Sequence, residues 1–337
     1  MELSNVRIIG LSGAADLAKK ISKISGIKQV DVTCVRFADG EIFVKHNDTV
    51  RHQDVVVIQS LIKPVNESVM ELLICLDALK RASAKRITVV LPYYAYARQD
   101  RKASGREPIS AKLLASLIET AGADHVVILD VHSAQCQGFF NVTVDTLSLG
   151  NLLVANAIKG LKVKNIVSVS PDYGGVKRAR EISKLLNCGL AILDKRRPRP
   201  NEAEILNILG EVKNKDCIIA DDMIDTAGTI CLAAKALKKA GAKSVRVLAS
   251  HGILSNPATE RLTQSFKNKE IEALYLANTI PYVKDFKNEH VHVVDISQWL
   301  SGVIKVLLSP NLSLSNYCDN CTKKQLKPFL NAQKAKK

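Results

Sequence analysis

The sequence predicts an α/β protein with two domains, each built on a central, mainly parallel sheet. Short apolar runs alternate along the chain with longer amphipathic segments, which is the order of strands and helices that parallel sheets require. The chain has 337 residues, enough for two domains that each bury their own core. A helix closed by glycine, an apolar strand and a histidine occur twice, at residues 121–132 and 240–251. This echo suggests that the two domains are related.

The composition is typical of a soluble globular protein and narrows the class of partner. Hydrophobic residues make up 47% of the chain and charged residues 24%. The 48 basic and 33 acidic residues give a net charge of +15, which favours anionic partners such as nucleotide phosphates. Aromatic residues, at 4%, are too few for the stacking surfaces that bind single strands, so a nucleic-acid partner is not expected.

Neither a secretion signal nor a membrane span is predicted. The N-terminus lacks a basic region followed by an apolar core, and no apolar run approaches the roughly 18 residues of a span. The eight cysteines are scattered, mostly in apolar surroundings, as in a reducing compartment, so a cytoplasmic location is expected. The lysine-rich residues 323–337 are expected to form a solvated end.

The first half reads as alternating strands and helices. Strands are predicted at 6–11, 30–35, 41–44, 55–59, 87–91, 125–131 and 142–146, and helices at 14–25, 68–82 and 110–121. Asp39-Gly40, between the second and third strands, is a strong hairpin signal. The polar, basic segment 98–106 follows the strand at 87–91 and is predicted to be a loop.

The second half repeats this order. Strands are predicted at 165–170, 190–194 and 217–220, with a helix at 174–186 and a second helix that follows Thr229 and stops at Gly241. Residues 195–202 join basic residues to prolines without interruption and are expected to form an exposed loop. The predicted domains are therefore 1–147 and 148–308, followed by a basic C-terminal extension at 309–337.

The segment 217–241 has the pattern of an anion-binding site. An apolar strand leads into a turn of small residues and then a helix, whose first amides have no partners within the helix. Gly228 allows the backbone to approach an oxyanion closely, and Thr226 and Thr229 add hydroxyl donors. A phosphate group is therefore expected in this loop.

Three aspartates lie beside the predicted phosphate loop and need a different explanation. Asp221, Asp222 and Asp225 occur within five residues, where a bare phosphate would repel them. Carboxylates accept hydrogen bonds from vicinal hydroxyls, so a sugar phosphate fits, with its ribose hydroxyls on Asp221 and Asp222. The alternative is an ordinary capped helix with Asp225 as the cap, which needs only one of these carboxylates.

This segment resembles the phosphoribosyl-binding motif of the phosphoribosyltransferase-type fold. That resemblance leaves two classes of enzyme open, those that consume phosphoribosyl pyrophosphate and those that make it. Further stretches resemble one family, ribose-phosphate pyrophosphokinase, and the resemblance runs from about Arg7 to Ser309. These stretches are 36–41, 96–101, 130–133, 137–140, 170–175 and 195–201. The resemblance implies two phosphoribosyltransferase-like domains and transfer of the β,γ-diphosphoryl group of ATP to the 1-hydroxyl of ribose 5-phosphate.

The resemblance also implies a role for individual residues. ATP would be bound by Phe37, Asp39, Gly40 and Glu41, and its phosphates by Arg98, Gln99 and Asp100. Ribose 5-phosphate would be bound by Arg197, Asp221, Asp222, Asp225, Thr226, Ala227, Gly228 and Thr229. A pyrophosphate loop would comprise Asp172, Gly174 and Gly175. Lys195 and Arg197 would be catalytic cations, and His132 and Asp172 would be ligands of Mg²⁺, with two ions expected.

The family resemblance also implies an assembly and a mode of regulation. The family resemblance implies a hexamer built from dimers, with the nucleotide hairpin supplied across a subunit interface. It also implies phosphate as an activator, bound through basic residues near Arg51, Lys102 and Arg106. The chain departs from the family pattern at Tyr173, at Ser104 and in its C-terminal tail.

Two alternative functions follow from the same residues. A base phosphoribosyltransferase would share the 217–241 segment but has no use for the hairpin at 37–41 or the segment at 98–100. A non-catalytic regulatory partner of a synthetase would keep the fold and lose the loop cations, yet Lys195 and Arg197 are both present.

Overall fold

The computed structural model describes residues 3–162, 165–199 and 202–334, and the side chains of 195–199, 202–206, 328 and 330–334 lie outside that description. The chain forms two compact units. Unit 1 comprises Met1–Ser148, Thr279–Pro281 and Ile296–Cys318, and unit 2 comprises Leu149–Asn278, Tyr282–Asp295 and Asp319–Lys337.

The elements alternate along both units, as the sequence predicts. The strands are β1 (Val6–Gly10), β2 (Val32–Arg36), β3 (Ile42–His46), β4 (Asp54–Ile58), β5 (Arg86–Leu91), β6 (His125–Leu129), β7 (Thr143–Leu147), β8 (Ile166–Ser170), β9 (Gly189–Arg199), β10 (Glu202–Leu209), β11 (Asp216–Ile224), β12 (Ser244–Gly252), β13 (Ala273–Ala277) and β14 (Val291–Val294). The helices are α1 (Ala15–Ser25), α2 (Val65–Arg81), α3 (Ser110–Ala121), α4 (Gly150–Ala157), α5 (Val176–Leu186), α6 (Gly228–Lys239), α7 (Ala258–Lys267), α8 (Ser297–Leu307) and α9 (Leu314–Lys334).

Unit 1 is built on a five-stranded sheet in the order β1-β4-β5-β6-β7, with parallel pairing throughout. Every residue of β4 and β6 is buried, as expected when helices cover both faces of a parallel sheet. Strands β2 and β3 lie outside this sheet and pair antiparallel with each other. The predicted α/β class with central parallel sheets is confirmed.

Unit 2 is built on a seven-stranded sheet in the order β10-β9-β8-β11-β12-β13-β14. Its neighbours are parallel except for β10, which pairs antiparallel with β9. From β8 the chain moves outward to β9 and β10, and then returns to β11 on the other side of β8. The strand order therefore reverses between β8 and β11, and such a reversal opens a crevice at the carboxyl ends of the two strands.

Helix α6 shows how the local pattern sets the packing. Its apolar residues recur at helical spacing, and the four predicted to share one face are all buried: Ile230, Ala233, Ala234 and Leu237. The helix ends at Lys239, and Gly241 follows with a positive φ of 87°, a conformation that costs glycine little. The helix is thereby held with its N-terminus at the carboxyl end of β11.

The prediction of a loop at 195–202 is wrong for most of that segment. The chain there forms the distal part of β9 and the start of β10, which pair antiparallel from Ile192 opposite Leu209 to Arg199 opposite Glu202. Pairing with β8 ends at Ile192, so the distal part of β9 pairs only with β10. An edge segment of this kind does not need apolar side chains. Pro198 falls in a register shift, where its missing amide hydrogen breaks no regular ladder.

Two further segments differ from the sequence-based expectation. Strand β11 continues beyond residue 220, so Asp221 and Asp222 lie within the strand and not in the turn after it. The lysine-rich end is largely helical in α9, where Leu326 is 1% exposed while Lys323 and Lys327 are exposed. One face of this helix packs, so the end is not simply solvated. Among the described helices, none is long and apolar enough to cross a membrane.

Candidate active site

The crevice between β8 and β11 lies beside two short loops that each lead into a helix. The first runs from Ser170 at the end of β8 to α5, and the second runs from Ile224 at the end of β11 to α6. Because β8 and β11 are parallel neighbours, both loops leave the same edge of the sheet. Each loop carries sequence-predicted site residues.

The first loop is shaped by hydrogen bonds within itself. Asp172 Oδ1 accepts the Gly175 amide hydrogen at 3.0 Å, and the Ser170 hydroxyl donates to the Asp172 carbonyl oxygen at 2.6 Å. A Cβ at Gly175 would come within 2.9 Å of Ser170 Oγ, so a side chain there would displace the Ser170 hydroxyl from its bond to Asp172. Only Oδ1 of the Asp172 carboxylate is used in these bonds among the described residues, which leaves Oδ2 as a possible cation ligand.

The carboxylates of Asp221 and Asp222 share a cation that the sequence analysis did not identify. Arg178 Nη1, from α5, donates to Asp221 Oδ1 at 3.0 Å and to Asp222 Oδ1 at 3.2 Å. Asp221 Oδ1 also accepts the Asp222 amide hydrogen at 2.9 Å. The side chains of Asp221 and Asp222 are 26% and 7% exposed, so Asp222 is buried and Asp221 is partly accessible to water.

The electrostatics of this pair disfavour two full charges. Burial, followed by the neighbouring Asp222 carboxyl group, raises the pKa of Asp221 to about 7, although Arg178 lowers it. The two carboxyl groups interact closely and titrate as a pair. An acidic pair with a raised pKa in a crevice is typical of ligand-binding and catalytic sites.

The second loop presents backbone amides at the start of α6. Ala227 adopts the left-handed conformation, with φ at 61°, and Gly228 begins the helix. Arg261, from α7, donates to the Thr226 carbonyl oxygen at 3.0 Å and so fixes the loop from outside. A non-glycine residue in this conformation stores strain, which often marks a site shaped for a ligand. Asp225, Ala227, Gly228 and Thr229 thus lie together around one helix N-terminus.

The hairpin of unit 1 places its predicted nucleotide residues in a tight turn. Phe37 and Glu41 close the turn through the Phe37 amide and Glu41 carbonyl at 2.8 Å, and Gly40 adopts a φ of 95°. Asp39 Oδ1 accepts the Glu41 amide hydrogen at 3.1 Å. The Phe37 ring is 50% exposed, and its centroid lies 6.3 Å from that of Phe43. An exposed aromatic ring on a rigid turn is suited to stacking on a base.

Helix α2 contacts both segments that were predicted to bind ATP. Arg36, at the end of β2, forms an ion pair with Glu67 in the first turn of α2. The preceding residue, Asn66, accepts a hydrogen bond from the Tyr96 hydroxyl. Tyr96 has a positive φ of 62° and begins the turn that leads to Arg98. One helical turn therefore holds the hairpin and the predicted phosphate segment.

Around Arg98 the chain forms an ordered turn. The Gln99 amide donates to the Tyr96 carbonyl oxygen at 2.8 Å, and the Ser110 hydroxyl donates to Gln99 Oε1 at 2.6 Å. Gln135 Nε2 donates to Asp100 Oδ2 at 2.5 Å. Arg98 is exposed, in keeping with a side chain that reaches a phosphate.

The two predicted metal ligands lie in different units. His132 is exposed and follows β6 in unit 1, whereas Asp172 follows β8 in unit 2. Within the described residues, no group of three or more histidine, cysteine or acidic side chains could hold a metal. Mg²⁺ fits such a sparse donor set, because it usually keeps water and substrate phosphate oxygens as most of its ligands.

The predicted catalytic cations are described only by their backbone. Lys195 and Arg197 belong to β9, and their side chains lie outside the described residues. Strand β9 runs parallel to β8 and continues seven residues past Ile192, the partner of Ser170. Its backbone therefore extends beyond the edge of the sheet from which both loops leave.

Tyr173 belongs with the exposed surface of the first loop. Its ring is 60% exposed, and a hydrogen bond with Asp194 links the loop to β9. The charge of Asp194 raises the pKa of the Tyr173 hydroxyl.

Arg178 and Arg261 were missed by sequence reasoning, since neither lies in a motif. The available signal was that Arg178 lies next to the buried face of α5, represented by Ala179.

Comparison with known proteins identifies the family. Residues 6–122 match the family model of the N-terminal domain of ribose phosphate pyrophosphokinase, and residues 196–316 match that of the phosphoribosyl synthetase-associated domain. The chain is 48% identical to the ribose-phosphate pyrophosphokinase of Mycoplasma genitalium, covering 88% of this chain and 90% of that protein. It is 49% identical to that of Bacillus caldolyticus, covering 89% and 93%.

A solved structure gives the same assignment. The crystal structure of phosphoribosylpyrophosphate synthetase from Mycobacterium smegmatis superposes with a TM-score of 0.83 at 39% identity, covering 90% of this chain and 99% of that one. The fold and the enzyme class predicted from the sequence are confirmed. This chain belongs to the ribose-phosphate pyrophosphokinase family.

Proposed function

We propose that the enzyme transfers the β,γ-diphosphoryl group of ATP to the 1-hydroxyl of ribose 5-phosphate, giving phosphoribosyl pyrophosphate and AMP for nucleotide biosynthesis. The observation that carries this proposal is the pairing, at one crevice of unit 2, of an acidic pair with a helix N-terminus. The acidic pair is Asp221 and Asp222, and the helix begins at Gly228. The acidic pair supplies hydrogen-bond acceptors for sugar hydroxyls, and the helix N-terminus supplies hydrogen-bond donors for a phosphate. A sugar-phosphate site needs both.

Each part of ribose 5-phosphate has a counterpart in this crevice. The 5-phosphate is proposed to bind the amides and hydroxyls of residues 225–229, where the helix dipole favours an anion. The 2- and 3-hydroxyls donate to Asp221 and Asp222. In this orientation, the 1-hydroxyl faces the Asp172–Gly175 loop, which we propose binds the diphosphoryl group.

ATP is proposed to bind through unit 1. Phe37 stacks on the adenine, Asp39 and Glu41 accept hydrogen bonds from its amino edge, and Arg98 and Gln99 hold the phosphates. Support comes from the exposed Phe37 ring and from the ordered turn at Gln99. Arg98 supplies a planar donor that matches phosphate oxygens.

The transfer itself requires positioning and charge neutralisation. The 1-hydroxyl oxygen attacks the β-phosphorus and releases its proton to solvent, the bond from the β-phosphorus to the oxygen shared with the α-phosphorus breaks, and AMP leaves with that oxygen. Lys195 and Arg197 are proposed to neutralise the charge that develops on the transferred group. Their position on the part of β9 beyond the sheet edge supports this role.

Mg²⁺ is the proposed metal, with His132 and Asp172 as its protein ligands and two ions expected. When bound, it would neutralise phosphate oxygens and hold them in line for transfer. Oxygen ligands suit this ion, and the hydrogen bond that leaves Asp172 Oδ2 available supports the assignment.

The assembly, the activator and the location are also proposals. We infer a hexamer built from dimers and activation by phosphate near Arg51, Lys102 and Arg106, on the family resemblance. Ser104 stands where the family pattern has a lysine, and its hydroxyl donates to Glu107 Oε1 at 2.7 Å. A cytoplasmic location is consistent with the eight cysteines, which are all free thiols.

The test is AMP release from ATP and Mg²⁺, with and without ribose 5-phosphate, by the wild type and Lys195→Ala. We expect ribose-5-phosphate-dependent AMP from the wild type and a loss of at least about a hundredfold in Lys195→Ala. Lys235→Ala removes the same charge from an exposed position on α6 and should retain activity. A folded wild type without AMP release, with phosphate supplied, would favour a regulatory partner. Phosphoribosyl transfer to a base without ATP would favour a phosphoribosyltransferase.

A further inference from the structure

Arg178 occupies a position in unit 2 that packing alone does not explain. It lies in the first turn of α5, beside the buried residue Ala179, and its side chain is 28% exposed. One nitrogen of its guanidinium contacts both acidic residues, at 3.0 Å from Asp221 Oδ1 and 3.2 Å from Asp222 Oδ1. These residues are 43 and 44 positions away in the sequence.

We propose that Arg178 is a positioning residue for ribose 5-phosphate, which favours the ionised forms of Asp221 and Asp222 and aligns them so that both accept hydrogen bonds from the ribose hydroxyls. This inference rests on the proposed function of the same crevice. Arg178 acts through the two carboxylates and is not assigned any contact with the substrate.

The chemistry of hydroxyl recognition gives the physical reason. An ionised carboxylate only accepts hydrogen bonds, whereas a protonated one also donates, and a pair of vicinal hydroxyls offers two donors. Two adjacent carboxylates in a poorly solvated crevice repel each other, so one tends to keep its proton. A cation bonded to both offsets part of that repulsion, and the guanidinium stays charged at all relevant pH values.

The charged side chains that influence Asp221 are Asp222 on its own strand and Arg178 on α5. On the neighbouring strand β12, the residue opposite Asp221 is Ala249, while His251 is opposite Met223. The part of β8 that pairs with β11 lies opposite residues 216–219 and brings no charge beside Asp221. Arg178 is therefore a counter-charge that contacts both members of the pair.

Loss of Arg178 has a defined pH signature. Because Arg178 lowers the pKa of Asp221, its removal should raise that pKa further and leave more of the pair protonated near neutral pH. Binding of ribose 5-phosphate should then weaken most at low pH and recover as the pH rises. A residue that merely stabilised the fold would not produce this dependence.

The experiment compares Arg178→Gln and Arg178→Lys with Arg180→Gln as the matched control. Arg180 lies on the same helix, is exposed and loses the same charge on substitution. Steady-state AMP release is measured between pH 6 and pH 9, with ribose 5-phosphate and ATP varied separately. Binding of ribose 5-phosphate alone is measured by calorimetry on the same proteins, which shows whether the effect lies in recognition.

We expect Arg178→Gln to raise the KM for ribose 5-phosphate about tenfold or more at pH 7, since each tenfold change reflects the loss of one strong charged hydrogen bond. The defect should shrink at pH 9, the KM for ATP should stay unchanged, and Arg178→Lys should recover part of the loss. A pH-independent defect, an effect only on kcat, or equal behaviour of Arg178→Gln and Arg180→Gln would overturn the proposal. Failure of the proposed function is distinguished because the wild type itself would then show no ribose-5-phosphate-dependent AMP.

Discussion

Asp221 lies in surroundings that disfavour its ionised form, and this unfavourable electrostatic energy indicates its role. Burial and the adjacent Asp222 both raise the pKa of Asp221, and Arg178 offsets only part of that increase. Nearby, Ala227 is held at a positive φ of 61° in the loop that follows the same strand. Unfavourable charge and backbone strain that occur together are expected where a ligand, and not the fold, determines the residues.

Substitution of Asp221 by Asn should therefore stabilise the free enzyme at neutral and alkaline pH while it weakens binding of ribose 5-phosphate. The pKa of Asp221 is raised to about 7 in the folded protein, above its ordinary value of 3.8, so the wild type loses stability as the pH rises from about 4 to 7. The variant has no titratable group at this position, so its stability does not fall over this pH range for that reason. We expect it to be more stable by about 1–2 kcal/mol at pH 8 and nearly equal at pH 4.

The measurement is urea unfolding of both proteins at several pH values, with calorimetric binding of ribose 5-phosphate as the functional readout. A variant that is less stable than the wild type at pH 8 would show that Asp221 supports the fold. A difference that is constant with pH would show that the pKa of Asp221 is not raised.

At the scale of elements, α2 joins two segments that lie far apart in the sequence. Its first turn binds the hairpin through Glu67 and Arg36, and binds the turn before Arg98 through Asn66 and Tyr96. Helix α2 also packs on β3, so the hairpin rests against a rigid element although it lies outside the main sheet. The orientation of Phe37 should therefore depend on α2.

Glu67→Gln should weaken ATP binding by loosening the hairpin. The ion pair of Glu67 with Arg36 is partly exposed, with side chains 37% and 55% exposed, so its loss should cost little stability. We expect the KM for ATP to rise about three- to tenfold and the KM for ribose 5-phosphate to stay unchanged. Steady-state kinetics with each substrate varied separately provides the measurement.

Asp77→Asn is the matched control for this substitution. Asp77 forms an ion pair with Arg81 on the same helix at 2.7 Å, well away from its first turn. The control should leave both KM values unchanged. If Asp77→Asn raised the KM for ATP as much as Glu67→Gln does, the effect would belong to the helix as a whole and not to the hairpin contact.

At the scale of the whole molecule, the two units divide the proposed work. Only the sheet of unit 2 reverses its strand order among the described strands, and this reversal creates the crevice for the sugar phosphate. Unit 1 has a simple sheet order and carries the proposed nucleotide residues on its hairpin and on the segment after β5. Each unit has a buried apolar core of its own.

Removal of divalent metal should abolish activity without unfolding either unit. In the described residues no cluster of three or more metal-binding side chains occurs, and the proposed Mg²⁺ is expected to take most of its ligands from water and substrate phosphates. We expect EDTA to eliminate AMP release and to change Tm by no more than about 1 °C, in contrast to a structural metal site. A fall of several degrees, measured by calorimetry without substrates, would reveal a structural metal.

The local pattern of the chain determined much of the fold and part of the site. Helical spacing identified the buried face of α6, including Ile230 and Leu237, and Asp39-Gly40 identified the turn between β2 and β3. Aspartates between an apolar strand and a glycine-containing turn indicated the sugar-phosphate loop. These features depend on residues within a few positions of one another, where periodicity and turn chemistry act directly.

Only the tertiary structure decided which distant residues meet. Basic residues and a proline at 195–199 indicate a loop, yet they form a strand because β10 offers hydrogen bonds at a sheet edge that needs no apolar side chains. Arg178 could not be assigned to the acidic pair, because its partners lie on a strand more than forty residues away. Strand order, and with it the crevice between β8 and β11, likewise depends on how β11 returns beside β8. Local sequence specifies the elements, and the pairing of those elements creates the site.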